Sequence, residues 1–99
     1  MAYGRFGTMR TTPGHRDEVV AILMEGIDGL RAAGCSLYAV GVSEKDQDLI
    51  LVTEIWESKE HHAASLTLPE TKEAIARAMP MLTGQFTGDE MTVIGGLGV

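Results

Sequence analysis

Along residues 48–56, DLILVTEIW, apolar side chains fall on both sides of an extended chain. Leu49, Leu51, Thr53 and Ile55 point one way, and Ile50, Val52, Glu54 and Trp56 the other, because successive side chains of a strand alternate. A strand with one wet face carries polar and apolar residues in turn. This one is apolar on both faces. Residues 35–43, CSLYAVGVS, predict the strand before it, and the polar EKDQD between them makes the two a hairpin. Residues 3–10, YGRFGTMR, predict a first strand with weak alternation, and 86–95, FTGDEMTVIG, a last one.

Helical spacing separates these strands. Val20, Leu23, Met24, Ile27 and Leu30 recur on one face. Thr12 is placed to cap that helix, Pro13 fits its first position, and Asp17 and Glu18 favour its positive end. Gly34 is the predicted stop, since glycine takes the left-handed conformation that ends helices. Ser58 is the predicted cap of a second helix beginning KEHHAAS. Pro69 opens a further stretch, PETKEAIARAM, with Ala74, Ile75, Ala78 and Met79 on one side, and Pro80 and Gly84 end it.

The order βαββαβ, its second helix broken, predicts a single α+β domain over residues 1–99. The arrangement is ferredoxin-like: a four-stranded antiparallel sheet with both helices on one face. Two helices cover one side of such a sheet, so the second apolar face of 48–56 needs another cover. A second copy is the simplest one, giving a homodimer in which two sheets pack face to face as a dimeric α+β barrel. Size points the same way. A chain of 99 residues buries only about two thirds of its unfolded surface and gains from a partner.

Charge and composition remove whole classes of function. The net charge is −6, and the eight basic residues are scattered rather than striped, which argues against nucleic acid and anionic membrane as partners. No apolar run approaches the ~20 residues of a membrane helix, and MAYGRFGTMRTTPGH contains no secretory apolar core. The single cysteine, Cys35, forms no internal disulfide, and its default role is that of a small buried apolar side chain. These features predict a cytoplasmic protein. The terminal VIGGLGV precedes no helix, so it is not read as a phosphate loop.

Candidate chemistry concentrates in TEIWESKEHHAAS, residues 53–65. Trp56 reads as an aromatic wall for a flat substrate or as a core side chain joining sheet to helix, and one residue can do both. Glu54 shares its face. It is a base with a raised pKa, or the partner of Arg5 on the first strand or of an arginine from a second chain. His61 and His62 point about 100° apart on a helix, so they do not aim at one site. A metal site wants i, i+4 spacing or a third ligand nearby, and His15 lies far off in sequence, so no metal is predicted. Tyr38 and Arg5, both on strands, are candidate donors to a phenolate or carboxylate, or else core and ion-pair residues.

The stretch TEIWESKEHHAASLTLPETKEAIARAMPML resembles the antibiotic biosynthesis monooxygenase domain family of small dimeric α+β-barrel proteins. The pattern is an acidic residue, any residue, then Trp at a strand end (Glu54, Trp56). Ser58 and Glu60 then open a helix, and Pro69 and an amphipathic helix follow. TTPGHRDEVVAIL is similar to the family's first-helix opening, and the resemblance covers essentially the whole chain. It implies oxygenation of electron-rich polycyclic phenols, anthrones or quinols by O₂, with no metal, haem or flavin cofactor. Such chemistry needs a dry apolar pocket, a proton acceptor and donors for the anion.

In many family members a His lies nine residues after the Trp, where this chain has Ser65. His61 shares a helical face with Ser65 at i, i+4 and is the predicted replacement. The haem-degrading branch of the fold uses an Asn on the first strand, a Trp near position 65 and a His near position 75. None of these is present, so haem degradation is not expected.

The resulting expectation is a cofactor-independent monooxygenase acting on an aromatic, quinol or anthrone-type small molecule. Its pocket would lie between sheet and helices, lined by Trp56, Phe6, Tyr38, Leu23 and Met79, with Ser65 nearby. Glu54 or His61 would accept the proton, and Arg5 or Tyr38 would stabilise the anion. The alternative, raised by Ser65, is a non-catalytic dimeric module that binds a small apolar ligand or only itself. A third reading is an isomerase or decarboxylase-like activity on the same scaffold.

Overall fold

The strand that is apolar on both sides lies inside the sheet. In the computed structural model, which describes residues 1–99, β1 (Tyr3–Thr11) and β3 (Leu49–Trp56) are central. The strands β2 (Cys35–Val42) and β4 (Leu82–Thr92) form the edges. The order is β2-β3-β1-β4, antiparallel throughout, and this is the ferredoxin-like α+β architecture the element order predicts. The helices are α1 (Arg16–Met24), α2 (Ile27–Ala32), α3 (Lys59–Ser65) and α4 (Pro69–Ala78), with a 3-10 turn at Met79–Met81 leading into β4. No helix is long and apolar enough to cross a membrane.

Register decides what each side of the sheet carries. Ile50 and Val52 of β3 join Val19 and Ile22 of α1 and Ala78 of α4 in one buried cluster, so their side of the sheet faces the helices. Opposite them on β1 stand Met9 and Gly7, and further along Glu54 opposes Arg5 and Trp56 opposes Tyr3. The helix-facing side chains of β1 are thus Tyr3, Arg5 and Met9. Phe6 and Thr8 point away, together with Leu51 and Thr53 of β3, Leu37 of β2 and Met91 of β4. Phe6 is 48% exposed and Leu51 41%, so this second side carries the uncovered apolar surface anticipated from β3.

Several boundaries follow local chemistry as expected. Ser58 Oγ accepts the N–H of His61 at 3.1 Å and caps α3. Pro69 occupies the first turn of α4. Gly34, at φ 103°, follows the last turn of α2, and its carbonyl accepts the Glu57 N–H at 2.8 Å. Other boundaries move. Thr12 does not cap a helix and Pro13 does not open one. The Thr12 hydroxyl instead meets His15 Nδ1 at 2.7 Å across a turn that includes Gly14 (φ 83°), and the helix begins at Arg16. The inward side of α1 is therefore Val19, Ile22 and the half-buried Leu23, while Met24 faces water. Gly26, at φ 70°, splits the predicted single helix into α1 and α2. Gly84 falls inside β4 rather than ending a helix, because β4 starts at Leu82, four residues before the predicted strand.

Candidate active site

Four side chains line up across the helix-facing side of the sheet, one from each strand. Tyr38 opposes Glu54, Glu54 opposes Arg5, and Arg5 opposes Glu90. The rows on either side are Val40, Val52 and the glycine pair Gly7–Gly88 in one direction, and Trp56 and Tyr3 in the other. A polar line therefore crosses an otherwise apolar or aromatic floor.

Above this floor, between sheet and helices, lies a cavity of about 480 Å³. That lies within the roughly 300–1,000 Å³ of small-molecule sites. Arg5, Tyr38, Glu54, Trp56, His62 and Ser65 contribute its polar and aromatic lining. Leu23, Leu30 and Ala74 are among its apolar walls, and half-exposed Leu66, Ile75, Met79 and Phe86 belong to the same lining where it opens to water.

Glu54 is the hub. Trp56 is 1% exposed, and its Nε1–H donates to Glu54 Oε1 at 3.0 Å. Arg5 Nε lies 3.9 Å from Oε2, and His62 Nε2 lies 3.9 Å from Oε1. The carboxylate is thus hydrogen-bonded by an indole and approached by a guanidinium and an imidazole, which offsets the cost of its partial burial. The His62 ring stands edge-on to Trp56, with centroids 5.4 Å apart and planes at 73°. Burial pulls the His62 pKa below its ordinary value of 6.5, and the Glu54 charge opposes that pull. Tyr38 is pushed up to about 12, first by burial and then by the charge of Glu54. It stays a phenol, a hydrogen-bond donor, throughout the neutral range.

Trp56, Tyr38, Arg5, Glu54, Leu23, Met79 and Ser65 therefore meet at one cavity, as the sequence predicts. Two predicted residues do not. Phe6 lies on the far side of the sheet, because it is one residue from Arg5 and neighbouring side chains of a strand cannot share a face. The phenyl ring in the cavity lining belongs to Phe86 of β4, opposite Met9.

His61 is also outside. It is the third residue of α3 after its cap, and both its N–H and its Nδ1 are engaged by Ser58 Oγ. Its ring covers Gly34, where an added Cβ would come within 2.7 Å of Cδ2, and its Nε2 approaches Glu57 at 3.5 Å. His62 is the imidazole in the cavity, buried with Ser65 one turn on. The available signal was the spacing: on a helix Ser65 shares its face with i−3 as well as i−4. The Ser65 hydroxyl donates to the His62 carbonyl at 2.6 Å and so is held by its own helix. The corner between α1 and α2, at Glu25 and Gly26, is a further wall that the sequence did not reveal. His15, His61 and His62 stay apart, and no three His, Cys, Asp or Glu side chains gather as a metal-ligand set.

With this geometry the relatives can be compared. The sequence pattern of the family described as "Antibiotic biosynthesis monooxygenase" matches residues 3–77. A protein from Chloroflexus aurantiacus J-10-fl, provisionally named an antibiotic biosynthesis monooxygenase, has a crystal structure with TM-score 0.87 to this chain. The two are 42% identical over 97% of this chain and 96% of that one. A Caulobacter crescentus CB15 protein of the same provisional name superposes with TM-score 0.85 at 18% identity, covering 95% of this chain and 91% of that one. Rv0793 from Mycobacterium tuberculosis does so with TM-score 0.82 at 17% identity, covering 98% and 99%. The latter two likenesses establish the fold alone. No curated protein sequence matches the chain. The matched pattern spans three quarters of the molecule and includes β1, β3 and α3, the elements that carry Arg5, Glu54, Trp56 and His62, so the chain belongs to the antibiotic biosynthesis monooxygenase family.

Proposed function

We propose that this chain works as a one-domain, cofactor-independent monooxygenase on an aromatic, quinol or anthrone-type small molecule, assembled as a homodimer. One observation carries the reading: a largely apolar cavity whose ionisable groups converge on a single line, with a buried imidazole beside it. An electron-rich phenol or anthrone fits such a site because the substrate itself reacts with O₂ once it has lost a proton.

His62 accepts that proton. Its depressed pKa keeps the ring neutral near pH 7, and the Glu54 carboxylate 3.9 Å away stabilises the imidazolium that forms. Arg5 and the phenol of Tyr38 face the new anion. The anion passes one electron to O₂, the two radicals combine through a new C–O bond, and the imidazolium returns its proton to the peroxide. For an anthrone, loss of water then leaves a quinone. The methylene carbon gives up four electrons, O₂ takes all four, and one oxygen atom leaves as water. Trp56 supplies a flat wall and holds Glu54 in place through its N–H.

The dimer reading rests on the helix-free side of the sheet, where Phe6, Leu37, Leu51 and Met91 are exposed together. Contiguous apolar surface of this kind marks an interaction face.

The test mixes a chemically reduced naphthoquinol or an anthrone with aerated, chelator-treated protein and follows O₂ uptake. Wild-type protein accelerates uptake. His62→Ala lowers the rate at least about a hundredfold with unchanged circular dichroism, while His61→Ala leaves it as it was. No acceleration with any such substrate, together with a rise in Tm on adding apolar ligands, would hand the site to the binding-module reading.

A further inference from the structure

The line of polar side chains does not stop at the cavity. It runs on to Glu90 on the edge strand β4, where Arg5 stands between Glu54 on one side and Glu90 on the other. Glu90 is tied to two further elements. Its Oε1 accepts the Tyr3 hydroxyl of β1 at 2.7 Å and lies 3.2 Å from Lys59 Nζ. Tyr3 flanks His62, and Lys59 shares its helix. The Tyr3 ring is 6.0 Å from the imidazole, and Lys59 opens α3 three residues before it. One exposed carboxylate thus bonds a side chain from β1 and one from α3, the strand and helix between which the imidazole sits.

We propose that Glu90 is a positioning residue: held by Tyr3 and Lys59 and set opposite Arg5, it helps set the pH at which His62 takes up a proton. The proposal rests on the reading of His62 as the proton acceptor. The charged and titratable groups around the imidazole are Glu54 from β3, Arg5 and Tyr3 from β1 and Glu90 from β4, with Lys59 of its own helix paired to Glu90. Two carboxylates are balanced by two cations. Glu54 and Glu90 favour the imidazolium, and Arg5 opposes it. With Glu90 neutralised, Arg5 keeps a single anionic neighbour, Glu54, and one of the two charges that support the imidazolium is gone.

A purely structural role explains this arrangement poorly. Glu90 and Lys59 are 53% and 66% exposed in their side chains, and exposed pairs of that kind add little to stability.

The experiment is an NMR titration of the imidazole nitrogens in the full chain, without substrate. In Glu90→Gln the His62 midpoint falls by roughly half a pH unit, and Glu90→Asp, which keeps the charge, restores most of it. Tyr3→Phe, which removes the hydroxyl that helps hold Glu90, moves the midpoint down as Glu90→Gln does, but by less. The acid limb of the quinol-oxidation rate profile shifts in the same directions. A folded Glu90→Gln protein whose His62 titrates as in wild type overturns the proposal. If that variant does not fold, Tyr3→Phe decides, and an unmoved midpoint there overturns it too. Absence of quinol turnover in wild type would sink the catalytic reading while leaving the titration readable, so the two failures are told apart.

Discussion

Folding drives His62 toward its neutral form, because burial penalises the imidazolium more than Glu54 rewards it. The sign of the consequence is fixed. The unfolded chain, with an ordinary value of 6.5, binds this proton more readily than the native one. The contribution to stability is present above that pH and is lost as the pH falls through the lowered native value. Denaturant melts between about pH 7.5 and 5 show a falling unfolding free energy, and His62→Gln flattens that part of the curve. At this scale the sequence was half legible. Glu54, Trp56, Arg5 and Tyr38 could be placed because strand parity is a period of two and leaves no ambiguity once one face is known. The same rule, applied to the adjacent Arg5 and Phe6, excludes Phe6 from their side. His61 and His62 were harder, since a helix lets either neighbour meet Ser65. What decides between them is the cap: Ser58 binds both the N–H and the ring of His61 and turns it outward.

Among the elements, those signalled by a side-chain mechanism fell where expected. Ser58, Pro69 and Gly34 each act through a local bond or dihedral that needs no tertiary context. The start of α1 depended on context. Thr12 engages His15 across a turn, and its backbone N–H bonds to the Met81 carbonyl at 2.9 Å, 69 residues along the sequence. A glycine likewise reads equally well as a stop, a break or a strand residue. Gly34, Gly26 and Gly84 take those three parts in turn, all at positive φ. The cap of α3 gives the sharpest element-level expectation. Ser58→Ala removes the acceptor for the His61 N–H and costs ~1 kcal/mol. Because α3 is only seven residues long, the loss shows locally, as faster amide exchange at His61 and His62 in hydrogen-exchange mass spectrometry, before it shows in Tm.

For the molecule as a whole, the excess of apolar sheet over helix was readable from one strand. The doubled hydrophobic pattern of β3 requires a cover on each side, and the chain folds with helices on one side only. Leu51→Glu places a carboxylate in the middle of the other side, beside Thr8 and diagonal to Phe6. The result expected in analytical ultracentrifugation is a dimer for wild type and, for the variant, sedimentation at the 10.6 kDa of one chain with its secondary structure intact. Wild type sedimenting as a single chain at micromolar concentration would defeat the dimer. The cavity's size was not legible in the same way. Its lining includes the break at Gly26 and Met79 of the turn before β4, which no repeating pattern announces.

The alternation of β1 has a bearing on how such a protein changes over time. Residues 3, 5, 7 and 9 face the helices, with 5 and 9 lining the cavity, and residues 4, 6 and 8 belong to the opposite surface. Point substitutions at 5 and 9 can therefore reshape the cavity while 4, 6 and 8 keep the uncovered face as it is, and a mutagenesis library could be split along the same line. A one-residue deletion near the middle of the strand would do the reverse, exchanging the two inheritances for everything downstream of it.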